Sequence, residues 1–324
     1  MKDTANFLSL INTEIEKLTF GEEPANLYDP ITYILSLGGK RLRPTLVLLG
    51  YNLFKRDYQQ IMHPALAVEV FHNFTLMHDD IMDQAPLRRG KPTVHEKWNT
   101  TVGILSGDTM LVKAYDLLLE VEDQYFKESV RLFNKTAVEV CEGQQIDMNF
   151  ESQDNVSVAD YINMIRLKTA VLLGFSLQYG GLLGGASEEE QNKLYELGVD
   201  MGIGFQLMDD LLDVYADKNK FGKQVGGDIV SNKKTFLLIK ALELATGDQE
   251  IALKEWLNKK EFDNEEKVAA VTTIYDDLNI KELTTQVMNE YFDLAFEQIK
   301  EFKVDKEALQ LLRQFASNLM HRDY

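Results

Sequence analysis

Two runs of aspartate carry the plainest chemical signal in this chain. Leu76-Met77-His78-Asp79-Asp80-Ile81-Met82-Asp83 returns in altered form as Leu207-Met208-Asp209-Asp210-Leu211-Leu212-Asp213, with the same Asp-Asp-x-x-Asp spacing. On a helix, residues four apart share a face about 5–6 Å apart at Cβ, so Asp79 with Asp83, and Asp209 with Asp213, form carboxylate rungs. Like charges so placed repel by roughly 0.2–0.5 kcal/mol in water, and by far more inside a cavity. A hard divalent cation removes that cost. All-oxygen ligands favour Mg²⁺ or Mn²⁺, and Mg²⁺ keeps several waters and is commonly completed by substrate phosphates.

A lone cluster of this kind is more often a solvated acidic face. Here the flanks argue for burial, with His72, Phe74, Leu76, Met77, Ile81 and Met82 around the first and Ile203, Phe205, Leu207, Met208, Leu211, Leu212 and Val214 around the second. An EF-hand is excluded, because its loop alternates acidic ligands and needs a Gly at the turn and a terminal Glu.

The basic residues are informative because they are outnumbered. Lys plus Arg total 34 against 52 Asp plus Glu, a formal net charge of −18, which makes nucleic acid or an anionic membrane surface an improbable primary partner. Against that background stand Gly38-Gly39-Lys40-Arg41-Leu42-Arg43-Pro44, Arg88-Arg89-Gly90-Lys91-Pro92, and the loop from Phe221 to Asp228 followed by Asn232-Lys233-Lys234-Thr235. Glycine lets backbone N–H groups approach an anion, the arginine fork matches paired phosphate oxygens, and lysine supplies a point charge. Metal-binding carboxylates on one wall and cations on another would make a container for a ligand with several phosphates.

The elements that must hold these residues read as helices. Apolar positions recur at helical spacing in 3–19, and Asp29-Pro30 reads as an N-cap followed by Pro at the first helical position, for a second helix that ends at Gly38-Gly39. Pro44 opens a helix through Phe54, and His63-Pro64 opens a long one into the first Asp cluster. Gln84 to Thr93, with Pro86, Gly90 and Pro92, breaks the pattern. Helices are then predicted at about 101–120, 124–149, 157–183 and 188–217, with a Gly-rich loop at 222–227 and four more helices between roughly 231 and 320. Period-2 alternation is almost absent and no Ser/Gly linker divides the chain, so residues 1–324 read as one all-α domain. The single cysteine, Cys141, excludes an internal disulfide, fits a reducing compartment and reads as a packed thiol. No secretory signal is visible, and no apolar run reaches 18 residues, so no membrane span is expected and the location reads as cytoplasmic.

With these motifs in this order, the chain resembles the trans-prenyl diphosphate synthases. The likeness runs from GGKRLRP at 38–44 through LMHDDIMD, RRGKPT at 88–93, GQQID at 143–147, RLKTA at 166–170 and FQLMDDLLD at 205–213 to GGDI and NKKT. It implies the isoprenoid synthase type I fold, a bundle of long helices around a central cavity, and a homodimer. It also implies that Asp79, Asp80, Asp83, Asp209, Asp210 and Asp213 hold about three Mg²⁺ ions on an allylic diphosphate (dimethylallyl, geranyl or farnesyl), with Mn²⁺ as a substitute. By the same resemblance Arg88, Lys168, Lys223 and Lys233 contact that diphosphate, while Gly39, Lys40, Arg43, His72 and Arg89 form the pocket for isopentenyl diphosphate. Thr169, Gln206 and the carbonyl of Lys168 would steady a carbocation by their dipoles. Gln144 and Asp147 read either as supports behind these groups or as a satisfied polar pair within a helix.

The implied reaction ionises the allylic C–O bond, lets the isopentenyl double bond attack, and returns a proton to the released diphosphate, so no protein nucleophile is needed. A class I terpene cyclase, or a non-catalytic subunit of a heteromeric synthase, are the other readings of the same residues. Two complete Asp clusters with both basic loops favour chain elongation. Phe74, five positions before Asp79 with Thr75 beside it, reads as the floor that limits product length, with geranylgeranyl diphosphate the first expectation and farnesyl diphosphate the second. The C-terminal Leu319-Met320-His321-Arg322-Asp323-Tyr324 is less basic than the family tail.

Overall fold

The computed structural model describes residues 2–216 and 226–321, with side chains described from residue 5 onward. Regular structure among these residues is helical apart from two strands of two residues each, as the periodicity predicts. The chain divides into two compact units interleaved in sequence. The first comprises Met1–Lys135, Phe175–Tyr195 and Phe302–Phe315, and the second Thr136–Gly174, Glu196–Glu301 and Ala316–Tyr324.

In the first unit, α1 (Lys2–Lys17), α2 (Ala25–Ser36) and α3 (Leu42–Asn52) lead to α4 (Met62–Met82), which ends at the first Asp cluster. Over its first ten residues α4 is buried nearly all round, with Ala65, Leu66, Ala67, Val68, Val70 and Phe71 all at 1% exposure or less. A helix apolar on every side is held by its neighbours rather than by one amphipathic face. That fixes the rod from which the aspartates project. Strands β1 (Leu87–Arg88) and β2 (Lys91–Pro92), the short α5 (Val94–Lys97) and α6 (Thr100–Leu118) follow, and α6 packs along α4. Asn99 caps α6 by accepting from the Val102 N–H at 2.9 Å.

α2 departs from the expected start. It begins at Ala25 behind an N-cap at Pro24, so Pro30 lies inside the helix rather than at its first position. Proline costs a helix its i→i−4 bond. Pro30 is buried together with Ile31, Ile34 and Leu35, and tertiary packing overrides the local penalty.

α7 (Asp123–Glu151) begins in the first unit and continues in the second, which also holds α8 (Val158–Ile165) and a π-helical turn at Arg166–Ala170. α9 (Val171–Gly184) and α10 (Glu188–Tyr215) contribute residues to both units. The second unit continues with α11 (Gly227–Val230), α12 (Phe236–Leu244), α13 (Asp248–Asn258), α14 (Asn264–Asp277) and α15 (Ile280–Glu301), and α16 (Lys306–Met320) closes the chain. Five helices of eight residues or more therefore follow residue 231 where four were expected. The predicted single helix at 157–183 is interrupted by the π turn, whose one extra residue barely disturbs hydrophobic periodicity.

Cys141 is exposed, not packed. The buried stripe of this part of α7 runs Thr136, Val140, Gly143, and position 141 falls beside it.

Candidate active site

In the first unit, Asp79, Asp80 and Asp83 occupy the end of α4, and their exposures differ. Asp80 is 2% exposed, Asp79 is half-buried and Asp83 is open to solvent. Both Asp80 oxygens are bound by Arg88, which donates through Nε and Nη2 at 2.7 Å each, a fork on a carboxylate. Burial pushes the Asp80 carboxyl above its usual range, and the Arg88 bonds pull it back. The partner comes from a hairpin. Arg88 pairs with Lys91 across a two-residue turn in which Arg89 (φ 54°) and Gly90 (φ 73°) are both left-handed, the type I′ condition. Tyr33 donates to the Pro92 carbonyl at 2.7 Å and Thr93 Oγ1 to the Ala85 carbonyl at 2.8 Å, which tie the hairpin down.

On the other side of the turn, Arg89 donates to the Gly38 carbonyl, and its guanidinium lies where a Cβ on Gly39 (φ 133°) would stand, 2.8 Å away. A side chain at Gly39 would displace that guanidinium, and the positive φ itself favours glycine. Arg41, inside the same loop, is left-handed (φ 47°) yet 4% exposed. It donates to Glu69 Oε1 at 2.7 Å, to the Leu35 carbonyl at 2.7 Å and to Asn12 Oδ1 at 3.2 Å. Arg41 is thus the buried anchor of the loop, and its neighbours Lys40, exposed, and Arg43, half-buried, carry the accessible charge. His72 lies in the field of four arginines. Burial first, then the charges of Arg43, Arg88, Arg89 and Arg41, hold its imidazole well below the ordinary range, so it is neutral. Phe74 is half-buried and packs its ring on Phe71 (5.7 Å between centroids) and His78 (4.8 Å), while Thr75 Oγ1 donates to the His72 carbonyl at 2.8 Å.

In the second unit the same division appears on α10. Asp209 and Asp213 are half-buried, and Asp210 is 4% exposed. Asp210 accepts from Tyr161 and from Gln206 Nε2 (3.0 Å), and Gln206 Oε1 in turn accepts from Thr169 (3.0 Å). Burial, then the charge of Asp228, push the Asp210 carboxyl up to about 8, against the pull of its two hydrogen bonds and of Lys233. Thr169 and Lys168 sit on the π turn, and Lys168 Nζ pairs with Asp147 at 2.5 Å. Asp147 also stands 4.0 Å from Lys233. The turn is admitted by Gly143 on α7, since a Cβ there would lie 2.2 Å from the Lys168 nitrogen. Asp213 accepts the Gly226 N–H on its carbonyl at 2.6 Å and the Asp228 N–H on Oδ2 at 3.0 Å. Lys223, and the loop around it up to residue 225, lie outside the described residues, as do Arg322, Asp323 and Tyr324.

The polyprenyl synthetase family model matches residues 24–275. A geranylgeranyl pyrophosphate synthase of Geoglobus acetivorans is 44% identical over 75% of this chain and 76% of its own. The chain belongs to the polyprenyl synthetase family. A geranylgeranyl diphosphate synthase of Methanosarcina mazei is 36% identical over 98% of this chain and 97% of its own. A crystal structure of a geranylgeranyl pyrophosphate synthase superposes with a TM-score of 0.91 at 44% identity, covering 100% of this chain and 99% of that one. The family and the all-α fold expected from the motifs are those found.

Polyprenyl synthetases depend on Mg²⁺ in general. The donor set here fits such an ion, being all carboxylate. A cation nearby would also ease the burial of Asp210, whose carboxyl is raised to about 8. Among the described residues no group of three Asp, Glu, His or Cys side chains is placed to hold a metal ion by itself. Among the described residues no helix is long and apolar enough to cross a membrane.

Three supports escaped the motif reading. Tyr161 gives no sequence signal, being one aromatic on an apolar stripe. Arg41 is masked by the two basic residues beside it. Asp228 was legible only as part of a glycine-containing loop.

An acid raised in the fold, such as Asp210, contributes stability while protonated, fully below its unfolded value of 3.8, and loses it as pH rises through about 8. In EDTA, the contribution of Asp210 falls between these limits, so the melting temperature of Asp210→Asn gains on that of the wild type as pH rises towards 8, by about 2–4 °C per kcal/mol relieved. Equal slopes in calorimetric scans of the two proteins would show that Asp210 is not the stressed acid.

Proposed function

We propose that this protein is a trans-prenyltransferase that condenses isopentenyl diphosphate with allylic diphosphates, with geranylgeranyl diphosphate the principal product and farnesyl diphosphate the runner-up. Residues 1–324 act as one functional domain in this reading, and the location is the cytoplasm. The observation that carries it is identity of up to 44% to geranylgeranyl diphosphate synthases in a chain that keeps every carboxylate of both clusters. That retention also weighs against a non-catalytic subunit, and the second complete cluster weighs against a terpene cyclase.

In this reading Asp79, Asp83, Asp209 and Asp213 hold about three Mg²⁺ ions, and Asp80 and Asp210, expected from the motifs as further ligands, stand behind them because Arg88, and Tyr161 with Gln206, occupy their carboxylates. Bound Mg²⁺ supplies charge neutralisation that makes the diphosphate a better leaving group. Arg88, aimed by Asp80, and Lys168 and Lys233, aimed by Asp147, bind diphosphate oxygens, with Lys223 as a fourth cation. Gly39, Lys40, Arg43, Arg89 and neutral His72 bind the diphosphate of isopentenyl diphosphate, which stays intact. Thr169 and Gln206, linked to each other, turn their dipoles toward the allylic cation, and the π-turn carbonyl of Lys168 does the same. The proton lost after C–C bond formation goes to the released diphosphate.

The partner expected in solution is a second copy of the chain. Leu105, Val112 and Leu119 recur every seven residues along α6 and its C-cap, each more than half exposed (54%, 60% and 53%), and form an apolar stripe that water alone does not explain.

Three outcomes test this reading. Purified protein incorporates labelled isopentenyl diphosphate only with Mg²⁺ or Mn²⁺, and turnover that persists in excess EDTA sinks the reading. Val112→Asp converts a dimer to a monomer in sedimentation equilibrium, and an unchanged mass removes α6 from the interface. Phe74→Ala takes away the ring proposed as the cavity floor and shifts chromatographed products beyond C20, whereas an unaltered profile assigns chain length to another residue.

A further inference from the structure

Lys267 on α14 is 0% exposed, and nothing in the proposed chemistry uses it. Its ammonium donates to the Val230 carbonyl at 3.0 Å and to Asn232 Oδ1 at 2.6 Å, and lies 4.2 Å from the centre of the Phe262 ring. All three partners are neutral, and burial lowers the lysine's pKa. A buried ammonium without a carboxylate is a costly way to fill space, and a methionine would pack the same volume without that penalty. The cation is therefore better explained by what it holds.

What it holds is the segment that ends in Lys233. Val230 closes α11, and Asn232 is the left-handed residue (φ 57°) directly before Lys233. Asn232 is fixed twice, by Lys267 on its amide oxygen and by its own donation to the Leu257 carbonyl at 3.1 Å. The far end of the segment is tied to the second Asp cluster, through the Gly226 and Asp228 N–H groups on Asp213. α14 grips that end as well, since a Cβ on Gly226 would stand 2.6 Å from the Val268 side chain. The Lys233 N–H then bonds the Asp228 carbonyl at 2.9 Å, and the Lys233 ammonium stands 4.0 Å from Asp147, the partner of Lys168.

We propose that Lys267 is a positioning residue for Lys233: by clamping Val230 and Asn232 it fixes the left-handed turn that delivers the Lys233 ammonium to Asp147 and Lys168. The inference rests on the prenyltransferase reading for its kinetic consequence, but the geometry is independent of it.

A double-mutant cycle separates positioning from general support. Lys267→Met, Lys233→Ala and the double variant are compared in full-length protein with Mg²⁺. Lys267→Met is expected to lower kcat by about 10- to 10²-fold through misplacement of one charge, with KM for isopentenyl diphosphate unchanged. In the Lys233→Ala background the same substitution should cost almost nothing more. Asn232→Gly keeps the left-handed turn accessible but removes the amide, and should reproduce the loss if Lys267→Met fails to fold. Affinity for inorganic pyrophosphate with Mg²⁺, by calorimetry, gives a readout without turnover and should fall in the same non-additive pattern. Additive losses in both readouts, or a rise in KM for isopentenyl diphosphate equal to the loss in kcat, would overturn the proposal. A wild-type protein that turns over nothing would instead defeat the functional reading, and the pyrophosphate cycle alone would then decide the role of Lys267.

Discussion

The constraint behind each Asp cluster is the cost of holding several carboxylates close together near the end of a helix. Three aspartates within five residues repel one another, and the repulsion grows as water is excluded. The protein meets it in the same way twice. The second aspartate of each cluster is buried and given to protein donors, while the first and last stay accessible. For Asp80 the donors are the two arms of Arg88, and for Asp210 they are Tyr161 and Gln206. The cluster is thereby sorted into an inner anchor and an outer pair, and the outer pair is the rung that suits a hard cation.

Much of the local architecture follows from supplying those donors. Arg88 can fork Asp80 only because a type I′ turn folds the chain straight back after α4, and the left-handed pair Arg89-Gly90 makes that turn. The same turn throws Arg89 the other way, onto the Gly38 carbonyl, so one hairpin serves both the acidic cluster and the basic loop. In the second unit, Gln206 can donate to Asp210 only with its amide oriented, and the Thr169 hydroxyl on the π turn sets that orientation. Gly143 then becomes a requirement of the helix beside it, because a side chain there would displace the turn.

The aspartate clusters, the basic loops and the all-helical pattern were legible because each rests on residue type at short spacing. What escaped depends on contacts across long separations or on single backbone angles. Arg-Gly is a weaker turn signal than Asn-Gly, so the hairpin read only as a break. A π turn adds one residue and leaves the apolar period nearly intact. Pro30 misled because proline normally opens a helix, and here burial with Ile31 and Ile34 keeps it inside one. Arg41 and Lys40 are adjacent and equally charged in the sequence, yet one is buried against Glu69 and the other exposed, a distinction that only the fold of the loop makes.

The cations of the second unit show what a carboxylate does among lysines. Asp147 takes Lys168 at 2.5 Å and stands 4.0 Å from Lys233, so two ammonium groups share one carboxylate and the trio keeps a net positive charge. The carboxylate between them neutralises only one of the two ammonium charges. It lowers the repulsion between them and the freedom of their long side chains, so that the charges are already in place for the anion proposed above. In a chain of net charge −18 the overall field opposes an anion, and local placement of cations of this kind works against it.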